Sequence, residues 1–328
     1  MNAKIILAAI VAVVLLSGGF VYLSGSNAQH APYKIALNTW VGYAPFYLAE
    51  EKGFYKEEGV DVQLLTIDSV SEQKASILSD RIDAIGSTVD VLTLWRAQGL
   101  PIVAVMQPDV SNGADGVLAT NDILSIKDLK GKRVAAQKNF VSESFLFYLL
   151  KKNNLSPKDV EIIDMEAGAA GAAFVAGAVD VAVTWEPWLS KAAERSNGKI
   201  LVTSRDIPGV LVDVLTPTEN ALKNRRADTK KVMRAWFKAV DYAKTHPKEA
   251  NEIMAKHYAM SPQEFEEIIA GANWPSLQEN KDYLNASKPN NIFEVGEVFA
   301  GVFVEVGSIK EKPDLRKAVD ASLLNEIL

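Results

Sequence analysis

The fold is decided by the stretch NTWVGYAPFYLAEEKGFYKEEG, which covers residues 38–59. The apolar run Tyr33–Leu37 before it is typical of a buried strand. Pro45 suits the first position of a helix, because its missing N–H costs no hydrogen bond there, and Gly53 ends that helix. A strand, a loop and a helix N-terminus in this order offer free N–H groups to a small ligand. An ordinary strand-to-helix turn with core aromatics is the alternative interpretation.

The composition describes an acidic protein with a large core. The chain has 328 residues, enough for two domains, and 48% of them are hydrophobic. The net charge of −6 argues against a nucleic-acid partner, which needs a basic surface. The absence of cysteine excludes disulfides, cysteine zinc sites, a thiol nucleophile and a lipoprotein attachment cysteine. Three histidines are too few to favour a histidine metal site or a Ser-His-Asp triad, so we predict no metal and no cofactor.

Residues 1–28 have the pattern of a secretory signal peptide. Lys4 gives a positive start, an apolar run follows over residues 5–23, and small residues surround a cleavage site after Ala28. The run is also just long enough to span a bilayer, so an uncleaved N-terminal anchor is the alternative. In both cases we expect the rest of the chain to lie outside the cytoplasm, in the periplasm.

Strand-like and helical patterns alternate from residue 33 to residue 204, which is typical of parallel βαβ units. Three strand patterns, at residues 34, 61 and 83, recur at residues 132, 159 and 180, an offset of 97 or 98 residues. An offset this long is unlike that of a solenoid and indicates two similar α/β lobes. A further strand is predicted over residues 101–107.

We predict an α/β fold in which each lobe is a mostly parallel sheet flanked by helices, with the ligand cleft between the lobes. Lobe I comprises residues 33–110 and 207–328, lobe II comprises residues 111–206, and the two crossings form a hinge. Four helical features follow residue 207 and are expected to cover lobe I. They are a helix over 228–246, a capping box at Ser261, a helix from Phe293 to Val306, and a terminal helix over 317–327.

Ligands of open α/β sheets bind beyond the carboxyl ends of the strands. The loops expected there contain more acids than bases, since the only base is Lys138. Aromatic walls and carboxylates suit a cationic nitrogen, as in a taurine-like aminosulfonate or a guanidine- or urea-like amine. The alternative is that the acids cap helices and hold turns while the ligand is a plain anion such as nitrate or an alkanesulfonate. The predicted ligand-binding residues are Trp40, Tyr43, Ser87, Asp90, Asp115, Lys138, Glu143, Trp185 and Glu186.

Three segments carry a resemblance to a known family. Residues 39–49 with 52–55, residues 111–116, and the run VDVAVTWEPW at 179–188 resemble the solute-binding proteins of nitrate/sulfonate/taurine-type ABC importers. The resemblance covers the chain from Tyr33 to its C-terminus. It implies the type II periplasmic binding protein fold and a receptor that delivers a small solute to a membrane permease and its ATPase. By position in these motifs, it also implies ligand contacts for Trp40, Asp90, Glu143 and Glu186.

Two other functions are considered on the same fold. Some proteins that resemble this family make a thiamin pyrimidine precursor, and they depend on a cysteine-rich motif and histidine chemistry. This chain has no cysteine, and His246 and His257 are expected outside the cleft, so we predict that it is not an enzyme. A sensory module that presents its ligand to a membrane receptor is the third possibility.

Overall fold

The computed structural model describes residues 31–327, apart from the side chains of residues 193 and 194. The predicted signal peptide, residues 1–28, lies outside the described residues. From Pro32 onward the chain packs as one compact unit. Among residues 31–327, no helix combines the length and the apolar character needed to cross a membrane.

Strands and helices alternate through the first two thirds of the chain, as predicted, and helices dominate the last third. The strands are β1 (Tyr33–Leu37), β2 (Val62–Thr66), β3 (Ala84–Thr88), β4 (Val110–Ser111), β5 (Asp115–Thr120), β6 (Arg133–Ala136), β7 (Glu161–Asp164), β8 (Val181–Trp185), β9 (Gly198–Thr203), β10 (Asp213–Pro217) and β11 (Ala272–Asn273). The helices are α1 (Ala44–Glu51), α2 (Phe54–Glu57), α3 (Val70–Leu78), α4 (Val89–Ala97), α5 (Val141–Lys152), α6 (Ala167–Val175), α7 (Glu219–Asn224), α8 (Arg226–Thr245), α9 (Pro247–His257), α10 (Pro262–Ile269), α11 (Leu277–Tyr283), α12 (Ile292–Val306) and α13 (Ser322–Asn325).

Two sheets organise the molecule. In the first sheet the strand order is β10-β3-β1-β2, with β1 parallel to β2 and β3, and β10 antiparallel to β3. In the second sheet the order is β7-β6-β8-β5-β9, with β6 parallel to β7 and β8, and β5 antiparallel to both β8 and β9. Each sheet therefore has a parallel part that matches the predicted βαβ pattern and an antiparallel strand that the pattern did not predict.

The two unpredicted strands, β5 and β10, follow the segments that connect the sheets. We call residues 107–114 the outgoing crossover and residues 204–212 the return crossover. An antiparallel strand starts at the edge where its parallel neighbours end. Asp115, the first residue of β5, accordingly lies opposite Trp185 at the end of β8. Asp213, the first residue of β10, lies opposite Thr88 at the end of β3. Each sheet thus presents an aspartate at its carboxyl edge.

The two crossovers are hydrogen-bonded to each other. Ser111 N–H donates to the Leu211 carbonyl at 3.0 Å, and Asp213 N–H donates to the Asp109 carbonyl at 3.0 Å. The predicted strand over 101–107 forms only isolated bridges. Ile102 pairs with Thr218, directly after β10, and Met106 pairs with Leu215, within β10. The prediction of a strand was wrong, because residues 101–107 run beside β10 without forming a continuous ladder of hydrogen bonds.

The C-terminal helices pack against the helices of the first sheet, since α8 contacts α1 and α2, and α12 contacts α4. The capping box predicted at Ser261 is present at the start of α10. The terminal helix predicted over 317–327 was wrong, and only the short helix α13 forms there. Asp320 explains the difference, because its N–H donates to the Ala104 carbonyl at 2.8 Å and its carboxylate pairs with Arg226 at 2.7 Å. These contacts hold residues 318–320 against the core in a non-helical path.

Candidate functional site

A small cavity, which we call the chamber, lies where the carboxyl edges of the two sheets meet. It has a volume of about 10 Å³, which is room for about one water molecule. Loops of the first sheet and the starts of β5, α5 and β10 build its wall. The lining residues are Asn38, Trp40, Tyr43, Ser87, Thr88, Asp115, Phe140, Val141, Trp185 and Asp213.

A larger opening, which we call the cleft, borders the chamber. Its volume is about 700 Å³, and Trp185 lines both spaces. Residues from both sheets and from the end of α9 line the cleft. They are Thr39, Tyr47, Thr66, Asp68, Gln137, residues 166–169, Ala172, Trp185, Pro187, Trp188 and residues 257–260. The cleft is large enough for a small organic solute, and the chamber is its polar inner end.

Asp109 and Asp213 form a buried carboxyl pair at the chamber. Trp40 donates from Nε1 to both oxygens of Asp109, at 3.0 and 3.2 Å, and Tyr43 Oη donates to Asp213 Oδ1 at 2.5 Å. Asp109 and Asp213 are also neighbours along the backbone, since Asp213 N–H donates to the Asp109 carbonyl at 3.0 Å, and two buried carboxyls this close in the fold repel each other when both are ionised. Burial raises the pKa of Asp109 to about 8 and, together with the charge of Asp109, raises the pKa of Asp213 well above its usual range.

Three more buried acids surround this pair. Burial raises the pKa of Asp115 to about 7, against a hydrogen bond from Ser111, and the charges of Asp90 and Glu186 add to the rise. Asp90 is fully buried at the start of α4, and burial raises its pKa as well. Glu186 accepts hydrogen bonds from the backbone N–H and the hydroxyl of Ser190, yet burial still raises its pKa. Desolvation is the largest cause of the raised pKa in every one of these acids.

The cluster has no basic partner in the part of the chain that the structure describes. None of the ion pairs there involves Asp90, Asp109, Asp115, Asp213 or Glu186. All five side chains belong to residues that are buried. Buried acids are normally paired with a base or kept neutral by a proton. The site therefore has the charge to hold a cation. Within residues 31–327, no group of three or more His, Cys, Asp or Glu side chains is arranged to hold a metal ion.

Hydrogen-bond donors face the same space. Trp185 is 3% exposed, and its Nε1–H has no hydrogen-bond partner. Helix α5 begins beside it at Val141, and its N-cap residue, Phe140, provides no side-chain cap. The first N–H groups of this helix therefore carry the partial positive charge of a helix N-terminus. These donors suit an anionic or strongly polar end of a ligand.

Gly42 makes the close packing around Trp40 possible. A Cβ atom at this position would lie 2.2 Å from Trp40 Nε1 and 2.4 Å from Asp109 Oδ2. No real Cβ atom approaches its neighbours so closely, so any larger residue would displace the hydrogen bond between Trp40 and Asp109. Gly42 thus leaves the space in which Trp40 donates its hydrogen bond to Asp109.

The structure brings most of the predicted site residues together. Trp40, Tyr43, Ser87, Asp115 and Trp185 line the chamber. Asp90 and Glu186 do not line it, but both are buried close enough for their charges to raise the pKa of Asp115.

Lys138 and Glu143 line neither the chamber nor the cleft. Lys138 is exposed, at the edge of a separate surface pocket that also contains Lys74 and Asp164. Glu143 accepts a hydrogen bond from the Asn139 N–H at 2.8 Å, which is the arrangement of a helix cap at the start of α5. Burial raises the pKa of Glu143, and the charge of Lys138 opposes the rise.

Two parts of the site were missed from the sequence. Asp213 follows the apolar residues of the return crossover. A strand predicted directly after that crossover would have placed Asp213 at the carboxyl edge of the first sheet, where a ligand is expected. His257 was expected outside the cleft, and this was wrong, because it lines the cleft and stacks on Tyr47 with 3.4 Å between ring centroids. Burial lowers the pKa of His257. No feature of the sequence indicates that the end of α9 returns to the cleft.

Two sheets joined by paired crossovers, with a polar chamber between their carboxyl edges, define the class of two-lobed periplasmic solute-binding proteins. The family model described as NMT1/THI5 like matches residues 40–250. The chain belongs to this family.

Relatives and solved structures agree with this assignment. A protein of Bacillus subtilis (strain 168), provisionally named an aliphatic sulfonates-binding protein, is 24% identical over 331 residues, which cover 97% of this chain and 95% of that protein. The solved structure of the alkanesulfonate-binding protein SsuA from Xanthomonas axonopodis pv. citri, bound to MOPS, has a TM-score of 0.73 at 18% identity, and covers 89% of this chain and 98% of its own. The resemblance read from the sequence and the predicted fold class are confirmed.

The same fold also occurs in an enzyme. The desulfurization enzyme DSZB has a TM-score of 0.61 at 15% identity, over 89% of this chain and 98% of its own. At such identities the likeness of structure shows the fold alone. The fold therefore leaves open whether a member binds its ligand or transforms it, and the residues of the site must decide.

Proposed function

We propose that this protein is an extracytoplasmic solute-binding receptor of an ABC importer, and that its ligand is a small polar solute with a cationic nitrogen, of the taurine or aminosulfonate kind. The observation that carries the proposal is the cluster of five buried acids around the chamber, which lacks a basic partner among the described residues. A ligand's ammonium group would supply the missing positive charge.

The cationic end of the ligand would contact Asp115 and Asp213, the two acids that line the chamber. Because the chamber has room for about one water molecule, the proposal requires it to widen when the ligand enters. At the effective dielectric constant of protein sites, a cation about 4 Å from one carboxylate gains about 4 kcal/mol. Trp40 and Tyr43 add ring faces on the same wall, and aromatic faces attract cations. A plain anion would meet repulsion from the same carboxylates whenever they are ionised.

The anionic end of an aminosulfonate would contact the donors on the other side. Among the described residues, the Nε1–H of Trp185 has no hydrogen-bond partner, and the N-terminus of α5 begins at Val141 beside it. Backbone N–H groups at a helix N-terminus are a common way to bind anions. Acids and donors that line the same chamber thus favour a ligand with both charges over one with a single charge.

Delivery to a membrane permease and its ATPase, and residence in the periplasm, are part of the proposal. Residence in the periplasm is supported by the signal-peptide pattern of residues 1–28 and by a relative from Escherichia coli (strain K12) named as a taurine-binding periplasmic protein, and delivery to a permease by the family resemblance. The division into lobe I (33–110 and 207–328) and lobe II (111–206) also stays a proposal. It is supported by the two sheets and the paired crossovers between them.

We also propose that the protein binds its ligand without transforming it. The sequence contains no cysteine to act as a nucleophile. His257 lines the cleft and not the chamber, and its ring is stacked on Tyr47, so it is not placed as a general base beside Asp115 and Asp213. Incubation of the protein with a bound ligand, followed by mass spectrometry of the recovered ligand, should show no chemical change.

A thermal-shift screen tests the ligand class. The panel is taurine, ethanesulfonate, ethylammonium, guanidinium, urea and nitrate at pH 8, where the acids are most ionised. A ligand at a hundred times its dissociation constant adds about 2.7 kcal/mol of stability. We expect stabilisation by taurine, less by the two simple cations, and none by ethanesulfonate or nitrate. Asp213→Asn should abolish the response, whereas Asp241→Asn, an exposed change on α8, should keep it.

Two outcomes would change the conclusion. Stabilisation by guanidinium alone would replace the aminosulfonate by a guanidine-like ligand, while the role of the acids as counter-charges would stand. Stabilisation by urea alone would replace it by a neutral urea-like ligand and refute that role of the acids. Stabilisation by ethanesulfonate or nitrate alone would refute the cation proposal. In that case the buried acids would hold the crossovers and cap helices, and the ligand would be bound by the N-terminus of α5 and Trp185.

A further inference from the structure

The Asp109–Asp213 pair has a property that the cation proposal does not use. Asp109 lies in the outgoing crossover and Asp213 directly follows the return crossover, and Asp213 N–H donates to the Asp109 carbonyl at 3.0 Å. The backbone bridge between Val110 and Val212 continues this pairing. The main chain therefore makes the two residues neighbours, and the hydrogen bonds from Trp40 and Tyr43 hold their carboxyl groups in place.

A fixed pair of buried carboxyls has to keep a proton. Neither side chain has an ion pair in the described part of the chain, and the residue Asp109 is 0% exposed. Trp40 Nε1–H and Tyr43 Oη–H each donate to one of the two carboxyls, but both donors are neutral, so a proton on one carboxyl is what removes the repulsion between two negative charges. Two carboxylates at this distance, with no cation and little water, would repel each other strongly.

The surroundings add no positive charge. The titratable groups whose charges act on the pair come from the first strand–helix loop, α4, β5, the turn after α9 and α11. They are Tyr43, Asp90, Asp115, Tyr258 and Tyr283. All of them are acids or phenols, so each either stays neutral or adds repulsion. Only a ligand or a proton from solvent can neutralise the pair.

Asp213 lines the chamber, whereas Asp109 does not line it and is bonded to Trp40, which does. We propose that ligand capture is a proton exchange, in which the ligand's cationic group replaces the proton shared by Asp109 and Asp213. The ligand enters with its ammonium charge, the pair becomes two carboxylates, and the displaced proton leaves to the solvent. This inference rests on the proposed cationic ligand and adds a regulation by pH to it.

Two consequences can be measured. Near pH 7, binding should release about one proton per ligand, and the release should fall towards zero as the free protein loses the shared proton at alkaline pH. For an exchange of one proton, the linkage relation gives an affinity about tenfold weaker for each unit by which the pH is lowered. The pair titrates as a unit, so these effects belong to both residues together.

Isothermal titration calorimetry of the purified protein measures the proton count. Taurine, ethylammonium and guanidinium are each titrated at pH 7 in phosphate and in Tris, two buffers with different ionisation enthalpies. The slope of the observed binding enthalpy against the ionisation enthalpy of the buffer gives the number of protons released per ligand bound. We expect about one proton for each of the three that binds. If one of them binds with no proton release, the exchange is refuted while the cation proposal stands. If none binds, the cation proposal is refuted and the exchange falls with it.

Asp109→Asn distinguishes proton exchange from a purely structural role of the pair. This variant keeps Asp213 at the chamber and keeps a hydrogen bond to it, but removes the second negative charge. We expect the cation to bind with clearly fewer released protons and with an affinity that changes less than threefold between pH 7 and pH 6. An unchanged proton count in Asp109→Asn would overturn the assignment of the proton to this pair. Asp241→Asn serves as the exposed control and should behave as the unmodified protein.

Discussion

Replacing Asp115 by Asn should remove a pH-dependent loss of stability that this buried acid imposes on the unliganded protein. Asp115 is 7% exposed, and burial raises its pKa from 3.8 to about 7. In the unfolded chain the carboxyl titrates near its ordinary value. Between about pH 4 and pH 7 the folded protein therefore binds more protons than the unfolded chain, and its stability falls as the pH rises through this window.

The size of the effect follows from the two pKa values. A difference between 3.8 and about 7 corresponds to about 4 kcal/mol of stability, which is present below pH 4 and lost above pH 7. About 3 kcal/mol of this loss falls between pH 5 and pH 8. Asn has nearly the same shape and cannot ionise. The free energy of unfolding of Asp115→Asn, relative to the unmodified protein, should therefore rise by about 3 kcal/mol from pH 5 to pH 8.

Urea denaturation at pH 5, 6, 7 and 8, without ligand, measures this difference. A difference in the free energy of unfolding that is the same at every pH reports the altered contacts of the substituted side chain and not the ionisation of Asp115. Only the change of the offset with pH counts. Asp241→Asn, an exposed substitution of the same kind, should show an offset that does not vary with pH. An offset for Asp115→Asn that stays constant within about 0.5 kcal/mol would refute the claim that Asp115 is held neutral by burial.

Three further substitutions test separate parts of the site. Gly42→Ala should destabilise the protein by about 1–3 kcal/mol in urea denaturation, because its Cβ would lie 2.2 Å from Trp40 Nε1. The control is Gly301→Ala on α12, which has open space around it and should be neutral or stabilising. Glu143→Ala should lose about 1 kcal/mol of stability with the loss of the cap on the Asn139 N–H, and calorimetry should find ligand affinity unchanged. Trp185→Phe keeps an aromatic ring but removes the N–H that has no partner among the described residues. The affinity for taurine should therefore fall about tenfold, while the affinity for ethylammonium stays the same. Equal losses of affinity for both ligands would contradict a role of Trp185 in binding the anionic end.

The parallel parts of both sheets could be predicted because periodicity and spacing determine them. Every strand there except β8 is followed by an α-helix, and the offset of 97 or 98 residues repeats the pattern. The antiparallel strands β5 and β10 could not be found in the same way. They are five- or six-residue apolar runs next to the crossovers, and local pattern does not say whether such a run joins a sheet or leads away from it.

The acidic character of the site could be predicted, but its membership could not. Loops at the carboxyl edges of parallel strands converge whatever the details of the sheet, so an excess of acids in those loops predicts an acidic site. Which acids share one chamber depends on the orientation of β5 and β10, and this is why Asp213 was missed. Glu143 illustrates the opposite case, because an acid in the first turn of a helix can turn back to cap it instead of facing the ligand.

The buried acids are best understood as a property of the site and not of the fold. Each raises the free energy of the unliganded protein when it ionises, and the described part of the chain offers no base that would compensate. Neutral residues of similar shape would fill the same space without this penalty, as replacements of buried charges often show. Yet Trp40 and Tyr43 place donors on two of these carboxyls, and Gly42 leaves room for the first of these contacts. The cationic ligand proposed above would supply the counter-charge that this arrangement lacks, and its binding would offset the free energy lost when the acids ionise.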